Sequence, residues 1–133
     1  MKPVLADSSY YVALLSPSDM HHAAAKELSE TLLGRTFVTE YVLVELGSLL
    51  ARGDERRGFL MLLDRITADP LTSIVPGSTE LFRRGLALFA DRPDKNWSLT
   101  DCISFVVMKQ RRLIEALTAD HHFEQAGFKA LLK

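Results

Sequence analysis

The opening of this chain constrains its fold most strongly, because a short apolar run, Val4-Leu5-Ala6, stops at an aspartate. Two serines follow Asp7, and an apolar segment then continues to residue 15. The pattern predicts a buried strand, a sharp turn and a helix, with Asp7 at the carboxyl end of the strand. Ligands of open α/β sheets bind at that edge, so Asp7 is a candidate site residue.

Strand-like and helix-like segments alternate along the rest of the chain. Further strands are predicted at Thr36–Thr39, Thr72–Val75 and Leu113–Thr118. Helices are predicted at about 8–15, 20–33, 40–52, 55–68, 80–90 and 98–108, with a short one after residue 119. The alternation predicts an α/β protein with a short parallel central sheet covered by helices on both faces. We expect one domain spanning residues 1–133, because this length suits a single hydrophobic core.

Composition excludes several classes of protein. The net charge is −1, so bulk positive charge does not drive nucleic-acid binding, although local basic clusters could contribute. One cysteine, Cys102, rules out an internal disulfide and fits a reducing compartment. Asp7 interrupts any signal-peptide core, and no apolar run reaches the length of a membrane helix. We therefore expect a soluble, cytoplasmic protein with no membrane partner.

Three further carboxylates are expected near Asp7. Asp120 follows the last predicted strand, Asp101 begins the most apolar helix, and Glu45 lies one turn into the helix after the second strand. In a parallel sheet all of these approach the carboxyl edge, where they cannot all be charged without a counter-ion. A hard divalent cation resolves that conflict, and such ions activate water in phosphodiester cleavage.

Simpler interpretations exist for each acid taken alone. Asp7, Asp101 and Asp120 each stand near a helix start, where aspartate is a preferred capping residue. Ser98 and Asp101 also match a capping box. Glu45 borders an apolar stripe and is either partnered or turned toward solvent. The histidine pairs 21–22 and 121–122 are not predicted to bind zinc, because adjacent helical residues point in different directions.

Five stretches carry a resemblance to a known family. They include the acids, a hydroxyl-rich opening and a glycine–phenylalanine pair near the end: Val4-Leu5-Ala6-Asp7-Ser8-Ser9, Asp19-x-x-His22-x-x-Ala25, Thr39-Glu40-x-x-x-x-Glu45, Ser98-Leu99-Thr100-Asp101-Cys102-x-Ser104-Phe105, and Ala116-Leu117-Thr118-Ala119-Asp120-x-x-Phe123 followed by Gly127-Phe128. In this order they resemble the PIN-domain family, and more closely its VapC-like members, the toxins of type II toxin–antitoxin systems.

The resemblance implies a three-layer α/β/α fold and an endoribonuclease that uses Mg²⁺ or Mn²⁺. Asp7 and Asp101 would be the main metal ligands, and Glu45 and Asp120 would complete the catalytic acidic set. Ser9 and Thr118 are similar to residues that support the acids in the family. The resemblance also implies an RNA substrate, a homodimer and an antitoxin partner. The antitoxin would bind among the early helices and the helix after Glu45, with candidate contacts at Phe59, Leu60 and Leu63.

Other functions remain open from the residues alone. One alternative is a catalytically silent RNA- or partner-binding module, and another is a nuclease that processes RNA without acting as a toxin. A phosphatase would need a nucleophilic aspartate motif with a lysine, which does not stand out. A phosphoacceptor receiver domain would need an aspartate after Thr72–Val75, where Pro76-Gly77 stands instead.

Overall fold

The computed structural model describes residues 2–133, which form five strands and seven helices. The strands are β1 (Val4–Ala6), β2 (Thr36–Thr39), β3 (Thr72–Val75), β4 (Glu115–Leu117) and β5 (Lys129–Ala130). The helices are α1 (Ser8–Leu15), α2 (His22–Thr31), α3 (Glu40–Leu49), α4 (Gly53–Ala68), α5 (Thr79–Asp91), α6 (Leu99–Gln110) and α7 (His121–Gln125). No helix within residues 2–133 has the length and apolar character needed to cross a membrane.

The sheet is parallel throughout, in the order β3-β2-β1-β4-β5. Leu5 of β1 is in register with Phe37 of β2 on one side and with Ala116 of β4 on the other. The chain therefore winds outward in both directions from β1, and the strand order reverses between β1 and β4. This reversal leaves a crevice beyond the carboxyl ends of those two strands, where open α/β sheets bind ligands.

Helices cover both faces of the sheet, which confirms the predicted α/β/α architecture. Val4 and Ala6 of β1 face a core formed with α1–α4, whereas Leu5 faces a second core formed with α5–α7. This alternation follows from the two-residue period of a strand. Because both of its faces are buried, the central strand β1 is a short apolar run rather than an alternation of polar and apolar residues.

The approach of α5 to α6 depends on a glycine. A Cβ added at Gly85 would overlap Ile103 Cγ1, so any larger residue would push the two helices apart. This contact matters for the site because α6 carries Asp101 near its first turn.

The structure differs from the sequence expectations mainly at element ends. Strand β5 was not predicted; it has only two residues and is defined by its parallel pairing with β4. The last predicted strand is shorter than expected, since it begins at Glu115, and Ile114 before it is 61% exposed. Helix α2 begins at His22 rather than residue 20, because Asp19 Oδ1 accepts a hydrogen bond from the His21 N–H (2.8 Å) and holds a turn there.

Candidate active site

Asp7 lies in the crevice between β1 and β4 and is 4% exposed. It is the residue before α1, yet its side chain makes no capping hydrogen bond to that helix. Its Oδ2 instead accepts hydrogen bonds from Ser9 Oγ (2.8 Å) and Thr118 Oγ1 (2.9 Å). The two predicted supporting residues therefore both contact this carboxylate, one from α1 and one from the residue after β4.

The surroundings of Asp7 oppose its ionisation. Burial is the largest effect and raises the pKa of Asp7 from 3.8 to about 6. The nearby charge of Asp101 raises the pKa further, while the hydroxyls of Ser9 and Thr118 lower it. The two hydroxyl hydrogen bonds therefore only partly offset the cost of burying the charged form of Asp7.

Asp101 lies at the start of α6 and forms the predicted capping box. Its N–H donates to Ser98 Oγ (3.0 Å), and its Oδ2 accepts the Ser98 N–H (3.1 Å). The Nδ1 of His122 lies 3.2 Å from the same oxygen. Burial raises the pKa of Asp101 and the charge of Asp120 adds to this, against the lowering by the Ser98 N–H and by His122.

Asp120 links the other two aspartates. Its Oδ1 accepts the His122 N–H (2.9 Å) and so caps α7. Its own N–H donates to Thr118 Oγ1 (3.0 Å), the hydroxyl that in turn donates to Asp7. Thr118 therefore holds the turn after β4 in place relative to Asp7.

Glu45 is half-buried on α3 and connects to the site through a serine. Its Oε1 accepts a hydrogen bond from Ser8 Oγ at 2.6 Å, and Ser8 is the residue after Asp7. The carboxylate is thus partnered by the chain rather than turned freely into solvent. Thr118 bonds to both Asp7 and Asp120, and His122 lies beside both Asp101 and Asp120. Glu45 is linked to this group only through Ser8, the residue after Asp7.

The donor set suits a hard divalent cation. Each of the four carboxylates uses one oxygen for the protein hydrogen bonds described above: Oδ2 of Asp7 and Asp101, Oδ1 of Asp120 and Oε1 of Glu45. Apart from the Ser8 backbone N–H, which lies close enough to lower the pKa of Asp7, these carboxylates accept no further hydrogen bond within residues 2–133, so each keeps oxygen lone pairs that a cation could use. A cation would also offset the burial that raises the pKa values of Asp7 and Asp101.

Two polar residues of the site were not predicted, Ser8 and His122. Ser8 is adjacent to Asp7 in a helix-start position and carried no signal that its partner was Glu45. The expectation that His121 and His122 point apart was wrong. Their ring centroids are 4.4 Å apart, and the Nδ1 atoms of both rings lie within 3.5 Å of Asp120 Oδ1. In a helix of five residues the first turn holds both rings beside the capping aspartate.

Two neighbours of the acids have structural roles. Trp97 is 6% exposed, donates its Nε1–H to Gln125 Oε1 (3.0 Å) and has the Arg92 guanidinium over its ring at 5.2 Å. Burial, together with the nearby Asp101 charge, raises the pKa of the Cys102 thiol, which disfavours the thiolate and a nucleophilic role.

Comparisons with known proteins identify the family and the fold. The family model described as PIN domain matches residues 4–129. The 23S rRNA-specific endonuclease VapC20 of Mycobacterium tuberculosis is 24% identical over 125 residues, covering 94% of this chain and 95% of VapC20. The crystal structure of VapC20, described as a Sarcin-Ricin loop cleaving toxin, has a TM-score of 0.85 at 23% identity and covers 94% of this chain and 95% of that one.

A second solved structure shares the fold. FitAcB from Neisseria gonorrhoeae has a TM-score of 0.62 at 20% identity, covering 96% of this chain and 94% of that chain. The family match spans nearly the whole of the described chain and contains all four acids. The predicted resemblance is therefore confirmed, and this chain belongs to the PIN-domain family.

Proposed function

We propose that this chain is a divalent-metal-dependent endoribonuclease and the toxin of a type II, VapC-like toxin–antitoxin pair. The observation that carries the proposal is Asp7, a buried carboxylate with a pKa raised to about 6 that no capping role explains. A perturbed acid in a crevice at a sheet's switch point is a functional-site signal. The similarity to VapC20, a nuclease acting on RNA, supports the reaction class.

In this proposal Asp7 and Asp101 would hold the cation. Ser9 and Thr118 orient Asp7 through Oδ2, and the Ser98 N–H with His122 orients Asp101 in the same way. Asp120 and Glu45 would complete the negative field around the cation. A bound Mg²⁺ or Mn²⁺ would lower the pKa of water and neutralise the charge that develops on the phosphate oxygens.

The proposed antitoxin partner is supported by a cavity near the amino ends of β2 and β3, away from Asp7. The cavity has a volume of about 550 Å³ and lies among α1, α2 and α4. Its lining combines buried side chains of α1 and α4 with charged ones that include Lys26, Glu30 and Arg65. We propose that it receives an amphipathic segment of the antitoxin. Of the predicted contacts, Phe59 and Leu63 instead pack against the first core, and Leu60 is exposed outside the cavity lining.

A substitution at the rim of the cavity tests that assignment. Leu71 lines the cavity and is 44% exposed, so Leu71→Glu should preserve folding but prevent co-purification of the proposed antitoxin when the two proteins are co-expressed. Met20→Glu is the matched control, because Met20 is 89% exposed and does not line the cavity. Equal co-purification of both variants would contradict the assignment. The predicted homodimer likewise stays a proposal, which sedimentation velocity of the purified chain would test.

Cleavage of defined RNAs tests the enzymatic proposal. The purified chain should be incubated with 23S rRNA, a hairpin carrying the sarcin–ricin loop and a set of transfer RNAs, in Mg²⁺, Mn²⁺ or excess chelator. We expect cleavage in either metal, none in chelator and none with Asp101→Asn. The first RNA to examine is the loop that VapC20 is described as cleaving.

Asp69→Asn is the matched control for these reactions. Asp69 lies before β3, where its carboxylate accepts hydrogen bonds from the Thr72 hydroxyl and the Leu71 N–H at the amino end of the sheet. Cleavage that survives chelator and Asp101→Asn alike would contradict the metal-dependent mechanism. Absence of cleavage in every RNA, with no heat of Mn²⁺ binding, would favour the silent binding module.

A further inference from the structure

A cluster of nitrogen and oxygen donors stands beside the acidic site. Asp120 Oδ1 lies 3.5 Å from His121 Nδ1 and 3.4 Å from His122 Nδ1. One ligand atom from each of the three residues can be chosen so that all lie within 4.8 Å of one another. Within residues 2–133, no other group of three or more histidine, cysteine or carboxylate side chains meets that spacing.

The spacing is close to that of ligands on one small cation. Zinc binds imidazole nitrogen and carboxylate oxygen at about 2.0–2.1 Å, so neighbouring ligands of a tetrahedral site lie about 3.4 Å apart. The two distances from Asp120 Oδ1 match that edge. His122 Nδ1 also lies 3.2 Å from Asp101 Oδ2, which offers a fourth ligand on the side of the acidic pocket.

The side chains differ in their freedom to close around an ion. The His122 side chain is 19% exposed and is held between Asp101 and Asp120, whereas the His121 side chain is 64% exposed. The exposed His121 ring is therefore the ligand with the most freedom to turn toward an ion. The donors face solvent on one side, so an ion can enter.

The other histidine pair shows what an ordinary arrangement is. In this pair the Asp19 carboxylate accepts a hydrogen bond from the His21 N–H, and the His22 Nδ1 lies 2.7 Å from the Ala13 carbonyl oxygen. His22 is thus engaged by the backbone, and its pair forms no cluster with a shared carboxylate oxygen. The two pairs have similar sequences, but only the one after β4 presents converging ligands.

We propose that Asp120, His121 and His122 form a second cation site, which takes a borderline transition-metal ion such as Zn²⁺ in preference to Mg²⁺. Mixed imidazole and carboxylate donors favour such ions, whereas the free carboxylate oxygens around Asp7 favour hard cations. An ion there would take up the carboxylate of Asp120, and that of Asp101 as the fourth ligand, and so make both less available to the acidic pocket. Zn²⁺ would therefore inhibit cleavage supported by Mg²⁺, a consequence that rests on the proposed nuclease function.

Calorimetric titration with zinc chloride tests the site without reference to activity. We expect the wild-type chain to bind Zn²⁺, and His121→Gln and His122→Gln to weaken that binding at least about tenfold. His21→Gln is the matched control and should bind as the wild type does. Asp7→Asn should also retain binding, because Asp7 belongs to the acidic pocket alone. No heat with the wild type, or equal affinity in His121→Gln, would overturn the site.

A cleavage assay tests the inhibitory role separately. His121→Gln should cleave RNA in Mg²⁺ at the wild-type rate and require at least about tenfold more Zn²⁺ for half-inhibition. Equal inhibition of His121→Gln and wild type would overturn the regulatory part of the proposal. If the wild type cleaves no RNA at all, the nuclease proposal fails, while the calorimetric comparison still decides whether the cation site exists.

Discussion

Asp7 and Asp101 occupy the same crevice, but the protein uses them differently. Asp101 completes a capping box at the start of α6, and Asp120 nearby caps α7. Asp7 precedes α1 as Asp120 precedes α7, yet its side chain makes no cap and instead accepts hydrogen bonds from two hydroxyl groups. Capping alone can therefore explain the presence of Asp101 and Asp120, but not that of Asp7.

The difference shows that a structural role and a functional role need not exclude each other. A capping carboxylate engages one oxygen, and its second oxygen stays available in the crevice. A buried carboxylate such as Asp7, which caps no helix, has no comparable structural role, and burial raises its pKa. Asp7 is thus the stronger single sign of a functional site, and Asp101 requires an experiment to separate its two roles.

The largest expected effect comes from removing charge while keeping hydrogen-bonding capacity. Asparagine keeps a side-chain oxygen that can accept the Ser98 N–H, so Asp101→Asn should preserve the capping box of α6. We expect Asp7→Asn and Asp101→Asn each to lower kcat on a cleaved RNA by on the order of 10²–10³-fold, as when other transition-state charge stabilisation is lost. Steady-state cleavage rates measure this, with circular dichroism as the control for folding. An Asp101→Asn variant that still cleaves RNA would show that Asp101 only caps α6.

The second effect is on stability and depends on pH. The folded-state pKa of Asp7 is raised, so its ionisation costs folding free energy that is absent below 3.8 and complete above about 6. At about 1.4 kcal/mol per pKa unit the full cost is up to about 3 kcal/mol. In chelator, Asp7→Asn should therefore be more stable than wild type in urea at pH 8 and show no gain at pH 3.5. An equal difference at both values would contradict the burial of this charge.

The hydroxyl that joins the two sides of the site should give an intermediate effect. Thr118→Val removes the donor to Asp7 and the acceptor of the Asp120 N–H, at a cost of about 1–3 kcal/mol for groups left unpaired. Its loss should also raise the pKa of Asp7 and move the acid limb of the cleavage profile to higher pH. Ser9→Ala removes one donor to Asp7 and leaves the Asp120 N–H paired, so it should cost less stability than Thr118→Val, although the Ser9 hydroxyl lowers the pKa of Asp7 more than the Thr118 hydroxyl does. A larger loss of stability from Ser9→Ala would reverse the assignment.

The smallest effect concerns the cap by itself. Ser98→Ala removes the hydroxyl that accepts the Asp101 N–H and should lower the free energy of unfolding by about 1 kcal/mol. Cleavage should persist, because the Ser98 N–H and His122 still hold Asp101. Ser78→Ala is the matched control, since Ser78 caps α5 away from the site. A much larger loss of cleavage in Ser98→Ala than in Ser78→Ala would show that the cap itself positions Asp101.

Much of the sheet could be predicted because local signals and tertiary packing agree. The runs at β1, β2 and β3 are short, apolar or β-branched and bounded by turn residues, so strand positions follow from periodicity. Strand β5 could not be predicted, because two residues carry no periodicity and only the pairing of Lys129 with Glu115 and of Ala130 with Ala116 defines them. The hydrogen bond between Ser8 and Glu45 joins residues 37 positions apart and likewise has no local signal.

The sequence by itself determined which residue types could meet, since alternating strands and helices carry Asp7, Asp101 and Asp120 to one edge of a parallel sheet. Only the tertiary structure decided how each carboxylate is used: which oxygen is engaged, which acid caps a helix, and which histidine pair converges on a shared oxygen. The physical reason is that strand and helix periods are set by neighbouring residues. Hydrogen-bond partners and the burial that shifts a pKa depend instead on side chains brought together by folding.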